Sequence, residues 1–136
     1  MSTWPLSIAF PLTLLGSITL MLAFDTIAAL FTRDRPALYP RLWPLQFALY
    51  VLIGFIAMLA VLDIRLVELI GALTGFTEST VGWAISWRIG PGRRPDMSLS
   101  QRAFAVSAVT VFCFGFAIVG AILFNAVAAA MLRAHG

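Results

Sequence analysis

Three long apolar stretches constrain the fold of this chain more than any other feature. Residues 4–31 contain a single charged residue, Asp25, and residues 43–62 and 103–132 contain none. About 20 apolar residues suffice for a helix to cross the hydrocarbon core of a bilayer. Backbone polar groups must be paired within lipid, so each such stretch is expected to be helical. The sequence therefore predicts an all-α integral membrane bundle.

The composition agrees with lipid as the main solvent. Apolar residues make up 61% of the 136 residues and charged residues only 11%, whereas soluble domains carry about 25% charged residues. This length predicts one membrane domain, residues 1–136. The first apolar stretch is long and has no basic segment before it, so we expect a retained helix rather than a cleaved signal peptide.

A fourth crossing is predicted from charge placement, because residues 64–87 contain Glu68 and Glu78 and hydropathy alone leaves them undecided. If they cross, seven arginines share one side against two on the other; if they do not, the sides hold four and five. Only the first arrangement matches the excess of basic residues in cytoplasmic loops. We therefore expect a bacterial inner (plasma) membrane protein with both termini non-cytoplasmic and helices at about residues 5–32, 43–62, 65–89 and 101–132.

Small and acidic residues recur every three or four positions in the third of these helices: Glu68, Gly71, Gly75, Glu78 and Gly82. This spacing places them on one helix face. Small residues let helix backbones approach closely in lipid, and ionisable groups there face the bundle interior. The pattern predicts a helix-packing stripe, which we define as Glu68, Gly71, Gly75 and Gly82.

Four polar residues are predicted to lie at a similar depth, about 10–15 Å from the cytoplasmic helix ends: Asp25, Tyr50, Glu78 and Thr110. No basic side chain is expected at that depth, and an unpaired carboxylate in lipid costs a few kcal/mol. At least one of Asp25 and Glu78 should then be protonated at neutral pH or hydrogen-bonded by Tyr50 or Thr110. The cluster is either a proton relay or cation site, or a polar contact between helices; we favour the polar contact.

Several chemistries are not expected. One cysteine, Cys113, and one histidine, His135, cannot assemble a zinc or iron site. No phosphate-binding glycine-rich loop occurs, and the serines lack a base other than Glu78. The basic residues lie in short loops rather than on a face with stacking aromatics, so nucleic acid is not an expected partner. We predict no enzyme activity, no cofactor and no metal.

A basic loop is predicted at the cytoplasmic surface. Arg88, Arg93 and Arg94 lie close together around Gly90, Pro91 and Gly92. Arginines beside a membrane attract anionic lipid head groups, by about 1 kcal/mol each. We expect this loop to face lipid.

One segment resembles a known group of proteins. Residues 77–93, T-E-S-T-V-G-W-A-I-S-W-R-I-G-P-G-R, are similar to a segment of uncharacterised small bacterial four-helix inner-membrane proteins. Those proteins show an acid, then Gly-Trp-x-Ile-Ser-Trp and Ile-Gly-Pro-Gly-Arg. Glu78 stands where they tend to have Asp, which keeps the carboxyl group. The resemblance implies four helices and carries no activity with it.

Two functions are open on this basis. The first is a non-catalytic accessory, assembly or stabilising subunit of an inner-membrane complex, with other membrane subunits or a second copy as partner. It is favoured by the long last helix and its phenylalanines: Phe104, Phe112, Phe114, Phe116 and Phe124. The alternative is a small oligomeric transporter or channel that uses Asp25 and Glu78.

Overall fold

The computed structural model describes residues 5–91 and 97–135. These residues are almost entirely helical and contain no strand, which confirms the all-α prediction for this part of the chain. The elements in chain order are α1 (Leu6–Phe31), a short 3₁₀ helix (Pro36–Leu42), α2 (Trp43–Val61), α3 (Ile64–Thr77), a π-helical segment (Glu78–Gly82), α4 (Trp83–Ile89) and α5 (Leu99–His135).

Three helices are long and apolar enough to cross a membrane: Leu6–Phe31, Pro36–Val61 and Leu99–Ala134. They correspond to the three apolar stretches of the sequence. The backbone stays helical through Glu78 and Gly82, so α3, the π segment and α4 form one continuous helix, residues 64–89, which we call the third helix. The described chain is thus a bundle of four helices.

Local signals set the helix ends. Leu62 adopts a left-handed conformation (φ 52°) after α2, and Asp63 then accepts a hydrogen bond from the Arg65 backbone nitrogen at 2.8 Å, which caps α3. Ser98 and Gln101 begin α5 with reciprocal hydrogen bonds between side chain and backbone, a capping box. Gly90, with φ 130°, ends α4.

The four helices are not equivalent in the bundle. α5 packs along both α2 and α3, and α1 packs against α2 and the third helix. Among the described residues, no α-carbon of α1 lies within 8 Å of one in α5. α2 and the third helix therefore occupy the centre, with α1 and α5 on opposite flanks.

Very close backbone approach joins α5 to the centre. A Cβ atom added at Gly54 would collide with the Ala117 carbonyl, and one added at Gly120 would collide with the Val51 carbonyl. At Gly71 it would lie 2.7 Å from Cβ of Ala117, whose side chain is fully buried. Helices in lipid associate through such small-residue contacts, because dispersion replaces the hydrophobic effect there.

The π segment redirects the third helix. Before it, α3 packs on both α1 and α5; after it, α4 still packs on α1, but no described α-carbon of α4 lies within 8 Å of one in α5. A π turn holds one residue more than an α turn and so rotates the faces that follow it. As a result, α4 and α5 diverge. This divergence lies at one end of the bundle, which contains the last turns of α1 and α4 and the first turns of α2 and α5. We call it the arginine-rich end.

Candidate functional site: a buried carboxyl cluster

Glu78 lies at the start of the π segment and is only 6% exposed. Its Oε2 accepts a hydrogen bond from the Tyr50 hydroxyl at 2.5 Å and lies 3.7 Å from the Cys113 thiol. Its Oε1 accepts a hydrogen bond from the Gln46 amide. Gln46 and Tyr50 are four residues apart on α2, so both face the third helix. Three donors from two helices thus surround one carboxyl group.

Asp25 approaches the same cluster from α1 and is 3% exposed. Its carboxyl packs against Gly82, where an added Cβ would overlap Asp25 Oδ2. The Glu78 side chain lies against the same glycine, with its Cγ 3.4 Å from that added Cβ. The two acids therefore meet beside Gly82.

The structure brings Asp25, Tyr50 and Glu78 together but places Thr110 in a neighbouring interaction. The Thr110 hydroxyl donates to the Val106 carbonyl at 2.8 Å and lies 3.4 Å from Ser79 Oγ. It hydrogen-bonds neither carboxyl. Thr110 therefore packs beside the cluster through Ser79. Of the two hydroxyl groups considered as partners for an acid, Tyr50 donates to Glu78 and Thr110 to neither carboxyl.

Two members of the cluster were not identified from the sequence. Gln46 was treated as part of an uncharged apolar stretch, although its spacing of four from Tyr50 would have placed both on one face. Cys113, 1% exposed, was interpreted as a small buried hydrophobic residue without a polar contact. No sequence signal pairs Cys113 with Glu78, because that contact joins two helices 35 residues apart.

The helix-packing stripe divides between two neighbours. Gly71 and Gly75 face α5, where they meet Ala117 and Cys113, and Gly82 faces Asp25 on α1. Glu68, nearer the start of α3, is half-buried. An undisturbed α-helix would keep the three glycines on one face. The π segment begins after Gly75 and ends at Gly82, and it accounts for the change of partner.

Toward the arginine-rich end, the cluster is followed by Ser86 of α4, which is 1% exposed and donates to the Trp83 carbonyl at 3.0 Å. Toward the opposite end of the bundle, close helix contacts leave no space in the interior; they join Gly54 and Gly71 to Ala117. Within the described residues, no ion pair reaches Asp25 or Glu78, and no three His, Cys, Asp or Glu side chains come close enough to hold a metal ion. The arrangement can hold a proton between two acids, or join three helices by hydrogen bonds.

The surface features lie away from this cluster. A groove of about 380 Å³ runs between α1 and α2 along an apolar wall that includes Leu12, Leu20 and Ile53. Arg88 is exposed in the last turn of α4. Arg93 and Arg94, the other two residues of the predicted basic loop, lie outside the described residues.

No family model, curated protein or solved structure matches this chain.

Proposed function

We propose that this chain is a non-catalytic subunit that assists the assembly or stability of a larger bacterial inner-membrane complex. One observation carries the proposal: the interior is closed by backbone contact directly beside the carboxyl cluster. Gly54 and Gly120 bring α2 and α5 together without intervening side chains. A substrate crossing between these helices would have to separate them.

The exposed surface of α5 supports a partner. This helix has 37 residues and spans about 55 Å, whereas the hydrocarbon core of a bilayer is about 30 Å thick. No described side chain after Ala121 is buried, and Leu132 is 77% exposed. The last part of α5 therefore leaves its own bundle with an apolar surface that a second membrane protein can cover.

Four crossings, with both termini on the non-cytoplasmic side, are part of the proposal. The third helix spans about 39 Å at about 1.5 Å per residue, enough to cross. Its acids turn inward, since Glu78 is buried and Glu68 half-buried. Between Arg65 and Arg88 near its two ends, its exposed residues are apolar: Leu69, Leu73, Phe76, Val81 and Ala84. A helix that buries its acids and exposes leucine and phenylalanine can lie in lipid, even though its mean hydropathy is modest.

Cysteine labelling tests this topology. In a Cys113→Ala background, an impermeant maleimide should label Leu62→Cys in intact spheroplasts, because the turn between α2 and α3 faces outward. Ser100→Cys, at the arginine-rich end, should react only after the membrane is opened. Ala37→Cys serves as a second inward control. Labelling of both Leu62→Cys and Ser100→Cys from outside would show that the third helix does not cross.

Purification from native membranes in mild detergent tests the function. The expected complex contains a second membrane protein in fixed ratio, and its mass exceeds that of the 14.8 kDa chain accordingly. Leu132→Asn should release the partner, whereas Leu15→Asn, on the exposed face of α1, should not. A monomer, or a complex of this chain alone, would contradict the proposal.

The second candidate is a small oligomeric transporter or channel. The observation in its favour is the pair of buried carboxyls, Asp25 and Glu78, which meet beside Gly82. Liposomes separate the two functions. The accessory function predicts proton and cation flux equal to that of protein-free vesicles, for wild type and Glu78→Gln alike. Flux that Glu78→Gln abolishes would establish the transporter instead.

A further inference from the structure

We propose that the wedge between α4 and α5 binds an anionic phospholipid, and that Arg102 beside Trp87 binds its phosphate. The site lies at the arginine-rich end, outside the carboxyl cluster. It does not depend on which partner the protein has.

The wedge follows from the π segment. α3 and the π segment pack on α5, but the helix backbones separate along α4. The side chains of Arg102 and Trp87 bridge this gap, with the guanidinium carbon 5.2 Å from the centre of the Trp87 ring. Trp83 lies beside Trp87, at 6.1 Å between ring centres and tilted by 39°. Two indole rings therefore line the α4 side of the gap, and the guanidinium of Arg102 lies over one of them.

Within the described residues, the side chain of Arg102 meets no anion. Its Nε is buried without a hydrogen-bond partner, and no ion pair to it occurs within the described residues. Stacking on an indole uses the face of the guanidinium and leaves its in-plane N–H donors free. Arg102 also lies in the first turn of α5, where the helix dipole disfavours a cation. A phosphate there would accept the free donors and offset the unfavourable charge.

The positive charge of the arginine-rich end and its exposed apolar side chains together indicate a lipid as the ligand. Among the described residues, this end carries five arginines, Arg33, Arg35, Arg41, Arg88 and Arg102, against one acid, Asp34. The start of α5 exposes apolar side chains, since Leu99 is 85% and Phe104 76% exposed, so this end of the helix suits lipid. A phospholipid matches both features, since its head group meets the arginine and its chains stay in the surrounding lipid. Basic pockets between membrane helices bind anionic head groups in this way. Free phosphate would match only the charge.

Native mass spectrometry of the full chain, with phosphatidylglycerol or phosphatidylcholine added, tests the site. Wild type should bind phosphatidylglycerol more tightly than phosphatidylcholine, whose choline neutralises the phosphate. Arg102→Gln should bind phosphatidylglycerol about five-fold more weakly, the loss expected for one arginine at an anionic membrane surface. Arg102→Lys should fall between the two, because it keeps the charge without the planar donors.

The matched control is Arg133→Gln, at the opposite end of α5, which should bind phosphatidylglycerol as wild type does. Equal binding of the two lipids, or an equal loss in Arg133→Gln, would overturn the proposal. Displacement of phosphatidylglycerol by millimolar inorganic phosphate would also overturn it, because the site would then be a free-anion site. Trp87→Phe keeps an aromatic face and should stay within about two-fold of wild type, which separates loss of the site from loss of the fold.

Discussion

Gly54→Leu is expected to separate α5 from α2 and to destabilise the protein by more than about 3 kcal/mol. Overpacking usually costs less, because neighbouring side chains can turn away. Here the new Cβ meets the Ala117 carbonyl group, and a backbone atom cannot turn away. The helices must move apart, which also loosens Gly120 and Gly71 along the same seam. Unfolding in mixed detergent micelles, followed by circular dichroism, measures the effect.

The chain offers two matched controls for this substitution. Gly115 lies on α5 and Gly16 on α1, and a Cβ at either position meets nothing within 4 Å. Gly115→Leu and Gly16→Leu should change the stability by less than about 1 kcal/mol, and the higher helix propensity of leucine favours a small gain. If Gly54→Leu were no worse than Gly115→Leu, the close contact between α2 and α5 would be refuted. Gly54→Ala should already lose part of this stability, because its single methyl group collides with the Ala117 backbone.

Glu78→Leu is the second large effect, with an expected loss of about 2 kcal/mol or more. The substitution removes the acceptor for Gln46 and Tyr50. Tyr50 is fully buried, so water cannot replace the lost partner. Each buried donor left unpaired costs about 1–3 kcal/mol. Glu78→Gln keeps one carbonyl oxygen as an acceptor and should lose less than Glu78→Leu.

Glu68→Leu is the control for the carboxyl cluster. Glu68 lies on the same helix but is only half-buried, and it makes no hydrogen bond among the described residues. Its substitution should change the stability by no more than about 0.5 kcal/mol. Reversible unfolding in detergent, with all three variants measured in one lipid–detergent mixture, compares them directly. Equal losses in Glu78→Leu and Glu68→Leu would mean that the hydrogen bonds of the cluster do not stabilise the bundle.

Part of the bundle could be predicted because it depends on local chemistry. The apolar stretches have the length that a helix needs to cross lipid, and they became α1, α2 and α5. The turn at Asp63 is too short for anything but adjacent antiparallel helices. The glycines of the third helix were expected at close contacts, and each of Gly71, Gly75 and Gly82 lies at one. These features follow from length, turn chemistry and the absence of a side chain.

The composition of the carboxyl cluster could be predicted only in part. Asp25 and Glu78 stand out because charge in an apolar stretch is costly and must face the interior. Gln46 carries no charge, and the sequence does not show that it hydrogen-bonds Glu78. Thr110 was expected at the same depth, yet its rotation about α5 directs it to Ser79. Depth along a helix follows from residue number, whereas the direction across the bundle depends on how the helices are rotated.

The amino-acid sequence by itself determined an all-α chain with three long apolar helices and two interior acids, because apolar length and the cost of charge in lipid act residue by residue. Only the tertiary structure decided which helix each side chain meets. Beyond the π segment at Glu78–Gly82, α4 leaves α5 and keeps its contact with α1. The π segment thereby directs Gly82 to Asp25 and opens the wedge beside Arg102. Regular α-helical spacing carries no sign of that extra residue, because packing against three neighbours stabilises it.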